Sequence, residues 1–256
     1  MIMNVFKDYA NFYDILYREK NYSAECDFLE KVFSKFCKRK VKSILDLGGG
    51  TGSHTIMLSK RGYDLTCVDQ SKEMLSEAKR KIHKEKKIVI DFIHADIRRF
   101  DIKKKYDAVI LMFAVMSYQT RNSDVQAVFK TINKHLQPNG VFFFDCWFGP
   151  AVISKMPSDR IKKINLKNEE VIRLAQPNLN ISENTVTVNY TVFKIKEDQI
   201  IYNSKESHVM RYFFPKEIEY FANHAGLKVL NICPFMSLTK NMSLDDWNMA
   251  VIGTSS

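Results

Sequence analysis

Short apolar runs alternate with longer amphipathic stretches between Ser43 and Gly140. The apolar runs have the length of strands, and the stretches between them place apolar residues at helical spacing. This order predicts a parallel sheet whose strands are connected by covering helices. The predicted strands are Ser43–Leu47, Asp64–Val68, Val89–Ile93, Tyr106–Met112 and Val141–Asp145, and the predicted helices are Ser53–Arg61, Ser71–His83 (capped by Ser71) and Ser123–His135.

The pattern changes after Asp145. β-Branched and polar residues alternate in VIRLAQ, TVTVNYTVFKI and QIIYNSKESHVMRYFF, as in a sheet with one solvated face. We therefore expect a small antiparallel sheet inserted into the α/β domain. Helical spacing returns at Pro215–Ala225, with Gly226 as the stop, and two further strands, Lys228–Cys233 and Asn248–Gly253, would complete the main sheet.

The sequence thus predicts an α/β fold of the Rossmann-like, doubly wound type. Its sheet would have seven mostly parallel strands with helices on both faces. Residues 1–149 and 214–256 would form this core together with an N-terminal helical cap. Residues 150–213 would form the inserted antiparallel sheet, which would serve as a substrate lid or an oligomerisation region.

A chain of 256 residues with 45% hydrophobic content is long enough to bury a full core. No apolar run reaches the roughly 20 residues needed to cross a bilayer. The N-terminal MIMNVFKDYANFYD mixes charges with aromatic residues and lacks a signal-peptide pattern, so we expect a cytoplasmic protein with no membrane partner. The five cysteines are scattered, without a C-x-x-C pair or a zinc-type cluster, so reduced thiols and no bound metal are expected.

The segment SILDLGGGTGSHT, Ser43 to Thr55, places glycines on the turn between the first predicted strand and the next helix. This is the carboxyl edge of the sheet, where open α/β sheets bind ligands. A dinucleotide fingerprint would need a small residue at position 53, after G-x-G-x-x, and here Ser53 follows a glycine at position 52. No P-loop sequence is present. The glycines could therefore form a tight turn with no ligand or a cradle for a ligand without phosphates.

The pattern Asp46-x-Gly48-x-Gly50-x-Gly52 is similar to the first motif of the seven-stranded S-adenosylmethionine-dependent methyltransferases. Three later segments resemble the following motifs of that family in the same order: CVDQSKEML, HADIRRF and LQPNGVFFFD. The resemblance covers roughly residues 42–145. It differs at Gly49, where the family often carries Cys or Ala.

The resemblance implies that S-adenosylmethionine is the cofactor and assigns its contacts. Asp69 would bind the ribose hydroxyls, and Asp96 with Ile97 would frame the adenine. Each acid taken alone could equally cap a helix or lie on the surface, since Asp69 directly precedes the Ser71 cap. The expected cofactor-binding residues are Asp46, Gly48, Gly50, Gly52, Asp69, Gln70, Asp96, Ile97 and Met112.

The acceptor is approached through the segment after the fourth strand, MFAVMSYQT. Methyltransferases that act on nucleic-acid amino groups usually carry an acid or Asn followed by Pro-Pro and an aromatic residue here, and that motif is absent. YANFYDILY, LMFAVMSYQ and FDCWFGP instead resemble segments of the N-methyltransferases that dimethylate nucleotide-linked amino sugars. That resemblance implies an acceptor pocket lined by Tyr13 and Tyr118, with Tyr17 nearby and Trp147 as a wall.

The chemistry of these side chains is compatible with the implied roles. The Tyr118 ring could face a sulfonium while its hydroxyl orients an amine, although packing against a helix would explain it equally well. His208 could act as a base, and Arg211 could pair with a diphosphate, although core or surface roles would explain both. The candidate catalytic residues are Tyr118, Tyr13 and His208, and the candidate substrate-binding residues are Tyr17, Trp147 and Arg211.

The leading hypothesis is thus a methyltransferase acting on a small-molecule amine, with an anionic nucleotide-sugar as acceptor. Three alternatives stay open: an O-methyltransferase of a small molecule, an RNA methyltransferase, and a sensor that binds S-adenosylmethionine without turnover. The net charge of +10 keeps RNA in view, but solvated helix faces or an anionic small substrate explain it as well. The oligomeric state is open, with a homodimer as one option.

Overall fold

The structure is a computed structural model that describes residues 10–83 and 88–255. Tyr9, part of the YANFYDILY motif, lies outside the described residues. The helices are α1 Ala10–Leu16, α2 Tyr22–Phe36, α3 Ser53–Lys60, α4 Lys72–Ile82, α5 Asn122–His135, α6 Gly149–Lys155 and α7 Pro215–His224. The strands are β1 Ser43–Leu47, β2 Asp64–Asp69, β3 Ile90–His94, β4 Tyr106–Leu111, β5 Leu136–Phe148, β6 Arg160–Asn165, β7 Glu170–Asn180, β8 Thr185–Lys196, β9 Gln199–Phe213, β10 Leu227–Pro234 and β11 Asn248–Ser255.

Seven strands form the main sheet in the order β3-β2-β1-β4-β5-β11-β10. The first five are parallel, and β11 runs antiparallel to β5. The predicted mostly parallel, seven-stranded α/β fold is confirmed. Because β1 and β4 are central and parallel, their carboxyl ends lie side by side at one edge of the sheet, which is where the site is built.

Both faces of the sheet are covered, and alternate strand residues face opposite sides. Leu45, Val109 and Phe144 pack with α5 and α7, whereas Ile44 and Phe143 pack with α2 and α3. This explains why the β4 and β5 sequences are apolar without alternation, since a strand buried on both faces has no solvated side.

Strand β5 begins five residues earlier than predicted. The segment Pro138-Asn139-Gly140, expected to be a turn before the strand, lies inside it. The pairing with β4 jumps from Tyr106 opposite Leu136 to Ala108 opposite Val141, and Asn139 has a left-handed φ of 61°. The turn signal therefore marks an irregularity within the strand.

Strands β6 to β9 pair antiparallel in sequence order, as the alternating pattern predicted. These four strands are continuous with the main sheet. The sequence did not predict this connection. The end of β9 pairs parallel with the end of β5, Tyr212 opposite Trp147 and Phe213 opposite Phe148. On that side of β5 the pairing with β4 ends at Phe144, so β9 extends the sheet where β4 leaves it. The inserted strands thereby reach the carboxyl edge of the main sheet.

Among the helices that the structure describes, none is long and apolar enough to cross a membrane.

Candidate active site

The glycine loop brings bare backbone close to the segment after β4. Gly48, Gly50 and Gly52 have left-handed φ values of 81°, 56° and 73°. A Cβ on Gly48 would lie 2.6 Å from a methyl carbon of Val115, so a side chain has no room there. The amide of Gly48 donates to the carbonyl of Val68 (2.7 Å), which fixes the loop against the end of β2. The loop therefore leaves a gap beside its backbone that a Cβ on Gly48 would fill.

Gly49 is constrained by a different neighbour. A Cβ at this position would lie 2.5 Å from Sγ of Cys67 and 2.9 Å from Oδ2 of Asp46. The Cys67 thiol occupies the space that a Cys or Ala side chain would need at this position. The glycine at position 49 therefore has a steric cause.

Asp46 is 1% exposed and lies beneath the glycine loop. Its Oδ2 accepts a hydrogen bond from the Thr55 hydroxyl (2.5 Å), while its Oδ1 is buried without a hydrogen-bond partner among the described residues. Burial raises the pKa of Asp46 to about 6, and the charge of Asp69 acts in the same direction. Asp46 lines the cavity, so a donor or cation bound there would satisfy the orphaned oxygen.

Asp69 ends β2, and both of its oxygens are oriented by backbone. The amide of Gly50 donates to Oδ2 (2.9 Å), and the amide of Ser71 donates to Oδ1 (2.8 Å). Burial raises the pKa of Asp69, although these hydrogen bonds oppose the rise. Each carboxylate oxygen keeps a second lone pair, so the group can still accept from two adjacent hydroxyls. The expected cap role is also present, because the Ser71 hydroxyl accepts from the amide of Met74 at the start of α4.

Asp96 is held by a residue that sequence reasoning did not single out. Arg98 donates from Nε to Oδ1 (2.9 Å), from Nη2 to Oδ2 (2.6 Å) and from its own amide to Oδ1 (2.9 Å). Partial burial disfavours the charged form, but Arg98 outweighs it and lowers the pKa of Asp96. Arg98 also pairs with Asp124 on α5 (3.3 Å). An adenine amino group would therefore share Asp96 with this guanidinium.

Two hydrogen-bonded side chains, Tyr118 and His208, also line the cavity, and Glu206 lies behind them. Tyr118 ends the 3-10 turn Val115–Tyr118, and its hydroxyl lies 2.9 Å from Nδ1 of His208 on β9. Nε2 of His208 lies 3.2 Å from a carboxylate oxygen of Glu206, two residues earlier on the same strand face. The carboxylate favours the tautomer with its proton on Nε2, so the Tyr118 hydroxyl donates to Nδ1. Ninety positions separate Tyr118 from His208, and β9 brings them together.

Aromatic rings from α1 and its C-terminal flank close the third side. The ring centroids of Tyr13 and Tyr17 are 4.9 Å apart, and the Tyr17 ring centroid is 4.9 Å from that of Phe113, which follows β4. The Lys20 ammonium lies 4.5 Å from the Phe113 ring centroid. Trp147 adds a further wall and packs edge-on against Trp247 (5.7 Å).

The N-terminal helices are tied to the rim of the glycine loop by buried polar groups. Glu25 lies 2.6 Å from Nε2 of His54 and also pairs with Lys20. Burial disfavours the Glu25 carboxylate, but His54 and Lys20 outweigh that effect and lower its pKa. Asp14 accepts from the Thr51 hydroxyl (2.7 Å). No sequence motif marked the Glu25–His54 and Asp14–Thr51 contacts, because each joins segments about 30 or more positions apart in the chain.

A cavity of about 970 Å³ joins these groups. Most of the predicted site residues line it, and two do not. Gly52 caps α3 from outside, where a Cβ would meet Cβ of Ala78 at 3.1 Å. Arg211 is 6% exposed, pairs with Glu217 at the start of α7, and stacks on Phe213 (5.0 Å). The structure thus places the Arg211 charge in an internal ion pair and not at the cavity. The predicted residues that line it are Tyr13, Tyr17, Asp46, Gly48, Gly50, Asp69, Gln70, Asp96, Ile97, Met112, Tyr118, Trp147 and His208.

Within the part of the chain that the structure describes, no group of three or more His, Cys, Asp or Glu side chains is arranged to hold a metal ion.

The family model described as a methyltransferase domain matches residues 44–140, which carry the glycine loop, Asp69 and Asp96. The crystal structure of an S-adenosylmethionine-dependent methyltransferase from Clostridium acetobutylicum superposes with a TM-score of 0.83 at 22% identity, covering 99% of this chain and 100% of that one. Residues 44–140 thus match a methyltransferase domain, and the chain shares its fold with this S-adenosylmethionine-dependent methyltransferase.

Two curated proteins are similar to this chain in sequence. The dTDP-3-amino-3,4,6-trideoxy-alpha-D-glucopyranose N,N-dimethyltransferase of Streptomyces venezuelae is 26% identical over 228 residues, which cover 87% of this chain and 91% of that protein. A putative methyltransferase of Geobacillus sp. (strain WCH70) is 29% identical over 140 residues, 55% of this chain and 56% of that protein. The first match extends through the inserted strands, and the second covers only about half of either chain.

Proposed function

We propose that this protein is a methyltransferase that transfers the methyl group of S-adenosylmethionine to the amine of a nucleotide-linked amino sugar. The observation that carries the proposal is the series of hydrogen bonds from Tyr118 to His208, which both line the cavity, and on to Glu206. The near full-length similarity to a dTDP-amino-sugar N,N-dimethyltransferase supports the choice of acceptor.

The cofactor would lie along the carboxyl edge of β1 and β2. Asp69 would bind the ribose hydroxyls with the lone pairs that its backbone donors leave open, and the buried Ile97 would pack on the adenine. The orphaned Oδ1 of Asp46, beside the bare backbone of Gly48, would accept a hydrogen bond from the methionine portion. Bound S-adenosylmethionine supplies an electrophilic methyl group on a sulfonium for in-line attack by an uncharged amine.

Tyr118 and His208 would position the amine and take its proton. The Tyr118 oxygen accepts a hydrogen bond from the amine, and the Tyr118 proton points at Nδ1 of His208. When nitrogen gains a methyl group it must lose a proton. That proton passes to the Tyr118 oxygen as the Tyr118 proton passes to His208, and Glu206 stabilises the imidazolium that results. A hydroxyl acceptor would require a stronger base than His208, so this series of hydrogen bonds suits an amine.

The inserted strands supply cations for an anionic acceptor. Arg173 on β7 donates to the Tyr17 hydroxyl (3.1 Å) and lies 5.2 Å from the ring of Tyr190, which lines the cavity. Lys162 on β6 lies 5.9 Å from the Tyr17 ring. These charges favour a phosphate-bearing acceptor on this side of the cavity, because a positive field concentrates anions there.

A methyl-transfer assay tests the proposal. The purified protein is given labelled S-adenosylmethionine with one of three acceptors: a dTDP-linked amino sugar, the matched dTDP-sugar with a hydroxyl in place of the amine, and RNA. We expect label on the amino sugar alone. Label on the hydroxyl sugar or on RNA would contradict the proposed acceptor, and cofactor binding without transfer to any of the three would favour the sensor alternative.

A further inference from the structure

The segment that follows β4 contains two consecutive left-handed residues, neither of them glycine. Phe113 has a φ of 69° and Ala114 a φ of 58°. A residue with a Cβ occupies this region at a cost, and two in a row persist only when the surroundings hold them. Such strain is concentrated where a site needs an exact backbone path.

The carboxylate of Asp145 on β5 accepts a hydrogen bond from each of these two residues. The amide of Phe113 donates to Oδ1 (2.6 Å), and the amide of Ala114 donates to Oδ2 (2.9 Å). Asp145 is 2% exposed, and burial raises its pKa to about 6. Asp145 is therefore a bidentate acceptor for two consecutive backbone amides. Among side chains, only a carboxylate offers two equivalent acceptor oxygens in one plane.

The turn determines where the next side chains lie. The 3-10 turn Val115–Tyr118 starts directly after Ala114, and the amide of Ser117 donates to the Ala114 carbonyl (3.0 Å). Val115 packs on the glycine loop, and Tyr118 reaches His208. On the other side, the Phe113 ring contacts Tyr17. The turn therefore fixes the positions of Val115 beside the glycine loop and of Tyr118 beside His208.

We propose that Asp145 is a positioning residue: its carboxylate holds the left-handed turn at Phe113–Ala114 and so places Tyr118 against His208. The consequence for catalysis rests on the role of Tyr118 in the proposed function, whereas the effect on the turn does not.

A competing role for Asp145 would be electrostatic. The titratable groups that face its carboxylate are Lys20, whose charge favours the ionised form, and Glu25, whose charge opposes it. If the negative charge of Asp145 were what mattered, relief of strain in the turn would not compensate for losing it. This difference allows a test by rescue.

The test compares Asp145→Asn with the double variant Asp145→Asn/Ala114→Gly, using Ala114→Gly alone as the reference for the double variant. Asn keeps the shape of the Asp145 side chain but replaces one acceptor oxygen with an NH2 donor. That donor would face the amide N–H of Phe113 or Ala114. We expect Asp145→Asn to lower kcat for methyl transfer about 10- to 100-fold, as the loss of a hydrogen bond to a charged group does. Glycine at 114 adopts the left-handed turn at little cost, so the double variant should recover at least tenfold. A kcat unchanged in Asp145→Asn, or one that glycine does not restore, would overturn the proposal.

Amide hydrogen exchange tests the same turn without any acceptor or activity. In the wild-type protein the Phe113 and Ala114 amides should exchange at least tenfold more slowly than the exposed amides of the β8–β9 hairpin. In Asp145→Asn the protection of the Phe113 and Ala114 amides should fall, whereas that of the β1 amides should stay unchanged. Unprotected amides at 113 and 114 in the wild type would overturn the proposal even if Asp145→Asn does not fold. If these amides are protected while no amino sugar is methylated, the proposed function fails and the role of Asp145 in the turn stands.

Discussion

The hydroxyl of Tyr118 lies 2.9 Å from Nδ1 of His208, and the imidazole in turn lies 3.2 Å from the Glu206 carboxylate. This series of hydrogen bonds starts at Tyr118 in the cavity and ends at Glu206 on β9, a strand of the insertion. The Tyr118–His208 hydrogen bond is thus one of the contacts that join the core to the insertion, and a change at the Tyr118 hydroxyl can separate chemistry from cofactor binding.

Tyr118→Phe should lower kcat by about 10- to 100-fold and leave the Kd for S-adenosylmethionine within about twofold. The variant keeps the ring that walls the cavity and removes only the hydroxyl, so it removes the proton path and not the packing. Steady-state kinetics and calorimetry measure the two quantities. Tyr220→Phe, at a residue 57% exposed on α7, is the matched control. An unchanged kcat in Tyr118→Phe would leave this tyrosine a packing residue only.

Asp69→Asn should weaken binding of S-adenosylmethionine by roughly 10- to 100-fold. The amide offers one acceptor oxygen where the carboxylate offers two, and charged hydrogen bonds contribute about 1.5–3 kcal/mol each. Calorimetric titration measures the effect. Asp64→Asn, at the exposed opposite end of the same strand, is the control, because its partner there is Lys104. Equal affinity in the Asp69 variant and the control would remove the ribose assignment.

Gly49→Ala should destabilise the protein by about 1–3 kcal/mol, the usual cost of overpacking. The added Cβ would lie 2.5 Å from Sγ of Cys67, so Cys67→Ala in the same chain should recover part of that loss. Denaturant unfolding of the two single variants and the double variant gives the coupling energy. Additive losses would show that the Cys67 thiol is not the obstacle.

The pH dependence of stability should carry the signature of Asp46. Burial raises its pKa to about 6, above the 3.8 of an exposed aspartate. A carboxyl whose pKa is raised by folding stabilises the folded state fully below its unfolded pKa, and this contribution is lost as the pH rises through about 6. In the ligand-free protein, Asp46→Asn should therefore gain Tm relative to the wild type between pH 5 and pH 7. His135, whose pKa burial lowers, acts oppositely but is common to both chains, so it cancels in the difference. A constant difference in Tm across this range would contradict the buried, partly orphaned state of Asp46.

The main sheet was predictable because its signals are local. Each parallel strand is an apolar run bounded by polar or glycine residues, and the observed bounds of β1 and β2 differ from the predicted ones by at most one residue. The cofactor edge follows from the same strands, since the carboxyl ends of adjacent parallel strands converge.

The remaining contacts depend on pairings between distant segments, which no local pattern encodes. The parallel pairing of Trp147 with Tyr212 joins the insertion to the main sheet, and it brings His208 to Tyr118. Asp145 sits at the end of a strand already predicted, but its role depends on the backbone of Phe113, 32 positions earlier. Arg211 shows the converse: a cation suited to a diphosphate by its type is paired with Glu217 once the chain folds.

The most direct test of the account is a crystal structure of the protein with S-adenosylhomocysteine and a dTDP-linked amino sugar. The account predicts the ribose hydroxyls on the Asp69 carboxylate and the sugar nitrogen within hydrogen-bond distance of the Tyr118 hydroxyl. A nucleoside bound away from the glycine loop, or an acceptor nitrogen facing away from Tyr118, would contradict it.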